Sequence, residues 1–319
     1  MRSERLFHGV RLRVLATAGN DHWKAGTPIL GRDPEGSMVT LLEALAREGG
    51  WHVLELGPMR HDSETLQLLF SHAERLGFRP RISRKLEDPV VMMNGAWEDY
   101  FDSLSGNLRS QVKRSEAKLL REGPVTLEEY LGGAELDERL EEFFRIEASG
   151  WKGREGTAIA SEPATRDFYC RLAHTAAKRG ELRLHMLRVS GQCIAADYCI
   201  ANGRTVYMLK VGYDETWSQC SPGQVIRMRV LKHLFGGSAE IYDLMSGGGE
   251  HRGYKSRWSN CARTYATVRL FKPRSVLGQL AAQAHEVQSW LRNRKAGAHA
   301  ERCREGLLLL AEKEADRGA

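Results

Sequence analysis

Hydrophobic runs are short throughout this 319-residue chain. The first apolar stretch is broken by Arg11 and Arg13, which excludes a signal-peptide core at that point. The longest late run, Leu307–Ala311, falls far short of a bilayer span. The expected compartment is therefore the cytoplasm. The six cysteines (Cys170, Cys193, Cys199, Cys220, Cys261, Cys303) include no CxxC, and no Cys/His cluster has zinc spacing, so no metal is expected. No sustained heptad pattern appears, which argues against a coiled-coil arm. Charge of one sign barely prevails. A net charge of +6 and a pI near 9.0 suit anionic ligands such as nucleotide phosphates, RNA or a membrane surface, without choosing among them.

What is present reads as globular. Hydrophobic residues at 42% and charged residues at 28% allow a sizeable core, and the length allows two domains. Val10–Leu15 alternates as VRLRVL and precedes the turn-rich GNDHWKAGTP. Ser37–Glu48 places Val39, Leu41, Leu42, Leu45 and Ala46 on one helical face; Gly49-Gly50 stops it, and Trp51–Leu56 reads as a buried strand. A second helix fits Ser63–Leu76 with Ser63 as N-cap, and Val90–Met93 suggests another strand. Further on, a strand is expected around Val125, helices over Asp137–Ser149 and Pro163–Arg179, and terminal helices over Ser275–Leu291 and Ala300–Lys313. Gly106–Gly123 is a helix carrying Arg109, Lys113, Arg114, Lys118 and Arg121. It is either a solvated connector or a surface for an anionic acceptor or membrane.

Two segments share one plan. LLEALAREGGWHVLELG (Leu41–Gly57) and VLKHLFGGSAEIYDLMSGG (Val230–Gly248) each run from an apolar-faced helix through a Gly-Gly stop to a short strand and a glycine exit. The chain thus reads as two copies of one βα fold. The first copy is expected to begin in its middle, near its fourth strand, either because the chain start is placed late or because the domain is reduced. That would bare an unpaired sheet edge and favour self-association and poor solubility.

Glu181–Trp258 concentrates the chemistry. Three strand-like runs are joined by tight turns, Ser-Pro-Gly opens the helix Val225–Phe235, and a fourth strand, Glu240–Met245, comes next. Ser221 can cap that helix, Pro222 suits its first turn, and Gly223 lets a phosphate approach the free N–H groups; the same triplet also serves as an ordinary cap. Arg227, Arg229 and Lys232 add positive charge to what is mostly a surface face. Asp243, between Tyr242 and Leu244, is an acid inside an apolar run. It is the first candidate for proton handling, or else a structural acid capping the next turn. Asp197 in AADYCIA is a second such acid. Cys193 and Cys199 are expected on one side of their strand as buried thiols. Gly247, Gly249 and Gly253 imitate a dinucleotide fingerprint, but no apolar helix comes after them and that reading fails. Glu250 and His251 are further titratable groups on this loop.

This order of elements, with SPGQ, YDLM and YKSRW, resembles the acyl-CoA-dependent N-acyltransferases of the GNAT superfamily. More narrowly it is similar to the CelD-like or BioF2-like acetyltransferases, relatives of the FemAB aminoacyl transferases. The resemblance implies an α/β (α+β) tandem GNAT-like fold with central mixed, mostly antiparallel sheets flanked by helices. It implies a partial domain over 1–105, a basic connecting helix over 106–123, a complete domain over 124–272 and a helical tail over 273–319. The implied activity moves an acetyl or other acyl group from acyl-CoA to an amine or hydroxyl acceptor, in polysaccharide or cell-envelope metabolism.

In that frame strand Thr205–Tyr213, with Val211 and Gly212 near its end, would pair with the pantetheine arm, and Ser221, Pro222, Gly223 and Gln224 would hold the pyrophosphate. The loop departs from the superfamily's usual Gln/Arg-x-x-Gly-x-Gly/Ala, having one glycine and a proline. Tyr254 would protonate the leaving thiolate and Lys255 would neutralise a carboxylate, a phosphate or an oxyanion, completing the catalytic set with Asp243. Trp151, Arg154, Asp197 and Trp258 would line the acceptor pocket. Two rivals stand beside this reading: FemAB-like transfer from aminoacyl-tRNA to a cell-wall precursor, and a non-catalytic binding protein that kept the fold.

Overall fold

A computed structural model describes residues 2–7, 10–17, 26–245 and 252–286. The chain forms two compact units, one of residues 1–85 with 265–319 and one of residues 86–264. Among the described residues, no helix is long and apolar enough to cross a membrane.

In the first unit β1 (Arg2–Phe7) and β2 (Val10–Ala16) form an antiparallel pair, from Arg2↔Leu15 to Phe7↔Val10. The pattern of the sequence did not reveal β1. It lies upstream of the expected first strand and covers the edge that strand would have left bare. The outer edge now carries Arg2, Glu4 and Arg5, charges of the kind that discourage edge-to-edge pairing. Asp33 caps α1 (Pro34–Arg47), its carboxylate accepting the Gly36 N–H at 3.0 Å. The chain crosses through α1 to lay β3 (Val53–Arg60) parallel to β2. Ser63 caps α2 (Glu64–Arg75) as its residue type suggests, accepting the Leu66 N–H at 3.3 Å. Met38, Leu42, Leu66 and Leu69 from the two helices bury against Trp51, Leu54 and Leu56. β4 (Arg79–Met92) then begins in this unit and ends in the other.

The second unit continues with α3 (Trp97–Ser103), α4 (Gly106–Glu122), β5 (Val125–Tyr130), α5 (Leu136–Ala148) and the short α6 (Trp151–Arg154). Next come α7 (Pro163–Lys178), β6 (Leu182–Val189), β7 (Gln192–Asn202), β8 (Thr205–Tyr213), α8 (Pro222–Phe235), β9 (Ile241–Asp243) and α9 (Arg252–Ser256). Its strands lie in the order β4-β9-β8-β7-β6-β5, and the paired strands are antiparallel except for β8 with β9. β10 (Cys261–Phe271) returns to the first unit and runs antiparallel to β3 from Tyr265↔Arg60 to Phe271↔Val53. Because β4 and β10 each run on from one unit into the other, the units part at 85/86 and 264/265, away from the expected 105/106 and 272/273. The basic helix α4 lies within the second unit, with Leu108, Val112 and Leu119 fully buried in the core that includes Val225 and Val230 of α8. Both units contain one crossover, β2-α1-β3 and β8-α8-β9, with the parallel partners joined through the helix.

The second unit's sheet is covered on both faces, by α4 and α8 on one side and α5 and α7 on the other. Cys193 belongs to the α5/α7 face and Cys199 to the α4/α8 face, contrary to the expected shared side. The pairing of β6 with β7 skips Ile194 between Leu187↔Ala195 and Arg188↔Cys193, and this bulge inverts the alternation. Both thiols are buried, and burial pushes Cys193 up to about 12. On β8, Gly212 faces the backbone of α5: an added Cβ would lie 2.6 Å from Glu147 Cα and 2.9 Å from Glu147 N. Neither atom can rotate away. Gly212→Ala is expected to cost about 1–3 kcal/mol by overpacking, read as a lowered urea midpoint with an unchanged m-value.

Candidate active site at the start of helix α8

β8 is paired with β7 over its whole length, from Asn202↔Thr205 to Ala195↔Tyr213. Its parallel pairing with β9 covers only Thr205–Tyr207 against Ile241–Asp243. Beyond Tyr207 no described strand accompanies β8 on that side, and a wedge opens toward Tyr213. A bulge at Leu209, skipped between Cys199↔Met208 and Tyr198↔Lys210, sits where the wedge begins.

At the end of the wedge the chain turns through Glu215–Cys220 and enters α8. Ser221 is left-handed, at φ 47 and ψ 55, and its side chain makes no capping hydrogen bond. The expected serine cap is therefore absent. The Ser221 carbonyl takes the N–H groups of Gln224 (2.9 Å) and Val225 (3.3 Å), and Pro222 has no N–H. The Gly223 N–H is left open at the positive end of the helix dipole, the arrangement that binds anions. An added Cβ on Gly223 would touch the Tyr213 ring at 3.4 Å and the Tyr254 hydroxyl at 3.8 Å, so two tyrosines flank this glycine. Tyr254 donates from its hydroxyl to the Gly223 carbonyl at 3.1 Å. Burial raises its pKa and the Arg227 guanidinium draws it partly back, so the phenol stays protonated at neutral pH. Lys118 of α4 adds a positive charge beside the turn, donating to the Gln219 carbonyl at 3.1 Å.

Arg227 is not on a surface face. It is fully buried and lies 2.9 Å from Asp197 Oδ2, itself fully buried. Tyr242 donates to the same carboxylate oxygen at 3.1 Å, and the guanidinium also reaches the Tyr242 hydroxyl and the Met208 sulfur. Among the described residues, Asp197 Oδ1 and Arg227 Nε have no hydrogen-bond partner. Burial, the largest influence, would by itself lower the Arg227 pKa; the Asp197 carboxylate together with Tyr242, Tyr254 and Cys199 reverses it.

The remaining predicted residues divide between site and scaffold. Asp243 is fully buried, accepts the Met245 N–H at 2.9 Å and lies 3.5 Å from Arg263, so it braces the turn leaving β9. Lys255 donates to the Leu244 (2.7 Å) and Met245 (3.3 Å) carbonyls of that turn. Trp258 is a core residue: it is fully buried, its indole N–H donates to Gln224 Oε1 at 2.9 Å, and Tyr100 donates to its carbonyl. Gln224 thereby turns its side chain inward. Arg154 pairs with Glu215 through both terminal guanidinium nitrogens and clasps the turn before α8. The side chain of Trp151, Glu250, His251 and the helix expected over Ala300–Lys313 lie outside the described residues. Ser149 and Lys152 secure the open end of β8, donating to the Tyr213 carbonyl at 3.0 Å and the Val211 carbonyl at 2.9 Å. Lys152 also holds Glu147 at 2.9 Å, while the other carboxylate oxygen of Glu147 accepts the Ile159 N–H at 2.9 Å. Glu147 and Tyr213 escaped sequence reasoning, although Glu147 too is an acid within an apolar helix face, the signal that singled out Asp197 and Asp243.

The Arg227–Asp197 pair generates a prediction about stability. Arg227→Met strands a buried carboxylate and should cost about 3–5 kcal/mol. Combining it with Asp197→Leu should cost well under the sum of the two single losses, because the double variant leaves no unpaired charge. Urea denaturation of the four proteins reads the coupling directly.

Residues 106–256 match the family model for the acetyltransferase (GNAT) domain. Among solved structures, FemX is similar with a TM-score of 0.54 at 12% identity, over 85% of this chain and 83% of that one. The C-terminal domain (DUF2156) of a putative lysylphosphatidylglycerol synthetase from Agrobacterium fabrum is similar with a TM-score of 0.51 at 13% identity, over 91% and 88%. At such identities the likeness is one of fold. No curated protein matches the chain in sequence.

Proposed function

Residues 106–256 belong to the GNAT acetyltransferase family, and from that membership we propose that the protein transfers an acetyl or other acyl group from acyl-CoA to an amine or hydroxyl acceptor. The observation that carries this reading is the uncapped start of α8 beside the wedge between β8 and β9. A pyrophosphate fits the open Gly223 N–H, with the Lys118 ammonium close by. The unaccompanied edge of β8 suits an extended amide-bearing arm, which would reach the wedge as an added strand does. The acceptor's lone pair attacks the thioester carbonyl, the carbon–sulfur bond breaks, and the departing thiolate takes the Tyr254 proton while the acceptor gives its own to solvent. Tyr254 holds its proton at neutral pH, and the Arg227 guanidinium, which lowers its pKa against burial, favours the release of that proton. Asp243, Lys255 and Arg154 act as positioning residues, holding the turns on either side.

FemAB-like transfer from an aminoacyl-tRNA is the second reading, favoured by the shared fold of FemX. Thermal-shift and calorimetric titration with CoA, acetyl-CoA and longer acyl-CoAs separates the two. A ligand at ~100 times its dissociation constant adds about 2.7 kcal/mol and raises the melting temperature. Gly223→Glu, which puts a carboxylate at the anion-binding turn, should abolish that shift. No shift with any acyl-CoA in folded protein, together with retention of aminoacyl-tRNA on filters, would select the second reading. Tyr254→Phe should lower kcat by about 100-fold with little change in KM for the donor; unchanged kcat would remove Tyr254 from the chemistry.

A further inference from the structure

At the other end of α8, about 15 Å along the helix from Gly223 at 1.5 Å per residue, three side chains converge that the acyl-transfer reading leaves idle. Glu129 on β5 and His185 on β6 are direct cross-strand partners, and His233 reaches them from the last turn of α8. His185 Nε2 lies 3.4 Å from one carboxylate oxygen of Glu129, and His233 Nε2 lies 3.1 Å from the other. One donor atom from each residue falls within 4.8 Å of the others. We propose that Glu129, His185 and His233 bind a divalent transition-metal ion of the zinc class, independently of any acyl donor.

Two imidazoles and a carboxylate are a donor set that holds such ions, with a remaining position for water. The spacing is within reach of such a site: a tetrahedron with bonds of ~2.0–2.1 Å has edges of about 3.3 Å, each histidine lies about that far from its own Glu129 oxygen, and the three donor atoms need close only from within 4.8 Å of one another. His185 supplies the independent sign. Its side chain is fully buried; among the described residues Nδ1 has no hydrogen-bond partner and Nε2 has only the long 3.4 Å approach to Glu129, a poorly satisfied state that a metal bond at Nε2 would end. Asp197 stands directly across from His185 on β7; its Oδ1 and His185 Nδ1 are both buried and, among the described residues, unpartnered, so a small ring rotation on metal binding would be needed to join them. A metal-bound imidazole normally donates its other N–H to such a group. The carbonyl end of α8 favours a cation. The side chain of His233 is half exposed on a cleft of about 380 Å³ that also includes Glu129, Arg183 and Gly203, which gives an ion a path in. Arg183 Nε, 3.6 Å from Glu129 Oε1, is the charge that a metal would displace.

The test uses the untagged full chain, stripped by a chelator and then titrated with Zn²⁺ by calorimetry and with Co²⁺ by visible absorption. One equivalent is expected, with a raised melting temperature and release of protons. His233→Ala, at an exposed position, and Glu129→Gln should each weaken Zn²⁺ binding by at least about tenfold, since even outer-shell changes at metal sites cost that much. His174→Ala, at another surface histidine paired with an acid (Asp137, 2.8 Å), should leave it unchanged. No binding of either ion, or binding in His233→Ala and Glu129→Gln equal to that of the parent protein, overturns the proposal.

Discussion

Three residue pairs hold β8 to β9, and the layout of the candidate site depends on how soon that pairing ends. A parallel pair needs a crossover, which α8 supplies, and a crossover helix starts where its first strand stops. Since β8 outruns its partner, α8 begins at the mouth of a gap that no described strand fills. The left-handed Ser221 sharpens the turn and leaves its hydroxyl out of the cap, so the helix N-terminus is closed by nothing of its own. The match to the GNAT domain model and this open terminus are what support the proposed capture of an anionic acyl carrier.

The same helix is anchored from beneath by charge. Arg227 and Asp197 are taken wholly out of water, and such a pair is costly to bury and costlier to break. Its value is positional: Asp197 ties α8 to β7, Tyr242 ties it to β9, and Arg227 influences Tyr254 above. The residues flanking the wedge are held in a comparable way, with Lys152 and Glu147 bracing β8 and Arg154 and Glu215 bracing the turn. Much of the charge near the site thus serves to keep backbone where it is, leaving little of it free to meet a substrate.

Local patterns were legible because they depend on near neighbours. Ser63 caps its helix, Gly-Gly ends α1, and the helix–stop–strand plan recurs as two parallel crossovers. Asp197 and Asp243 were rightly singled out as acids in apolar runs, but what each one does was not legible: Asp197 finds Arg227 thirty positions away, whereas Asp243 turns back on the Met245 N–H only two residues on. Trp258 looked like a site residue by its place beside Tyr254 and Lys255, and it is core because Gln224, one turn into α8, supplies its hydrogen bond. The bulge at Ile194 likewise left no mark in the alternation of an already apolar strand, though it sends Cys193 and Cys199 to opposite faces.

Most element types, the repeated crossover and the place where α8 starts were readable from the chain alone, since they rest on periodicity and turn residues close together in it, and the family was readable from the resemblance of its motifs. Folding in three dimensions was needed to show that β4 and β10 run on between the units, that Tyr213 and Tyr254 meet over Gly223, and that Glu129, His185 and His233 come together. Those are pairings between residues tens of positions apart, set by strand register and helix packing. One residue more or less in a bulge would change them without altering any local pattern.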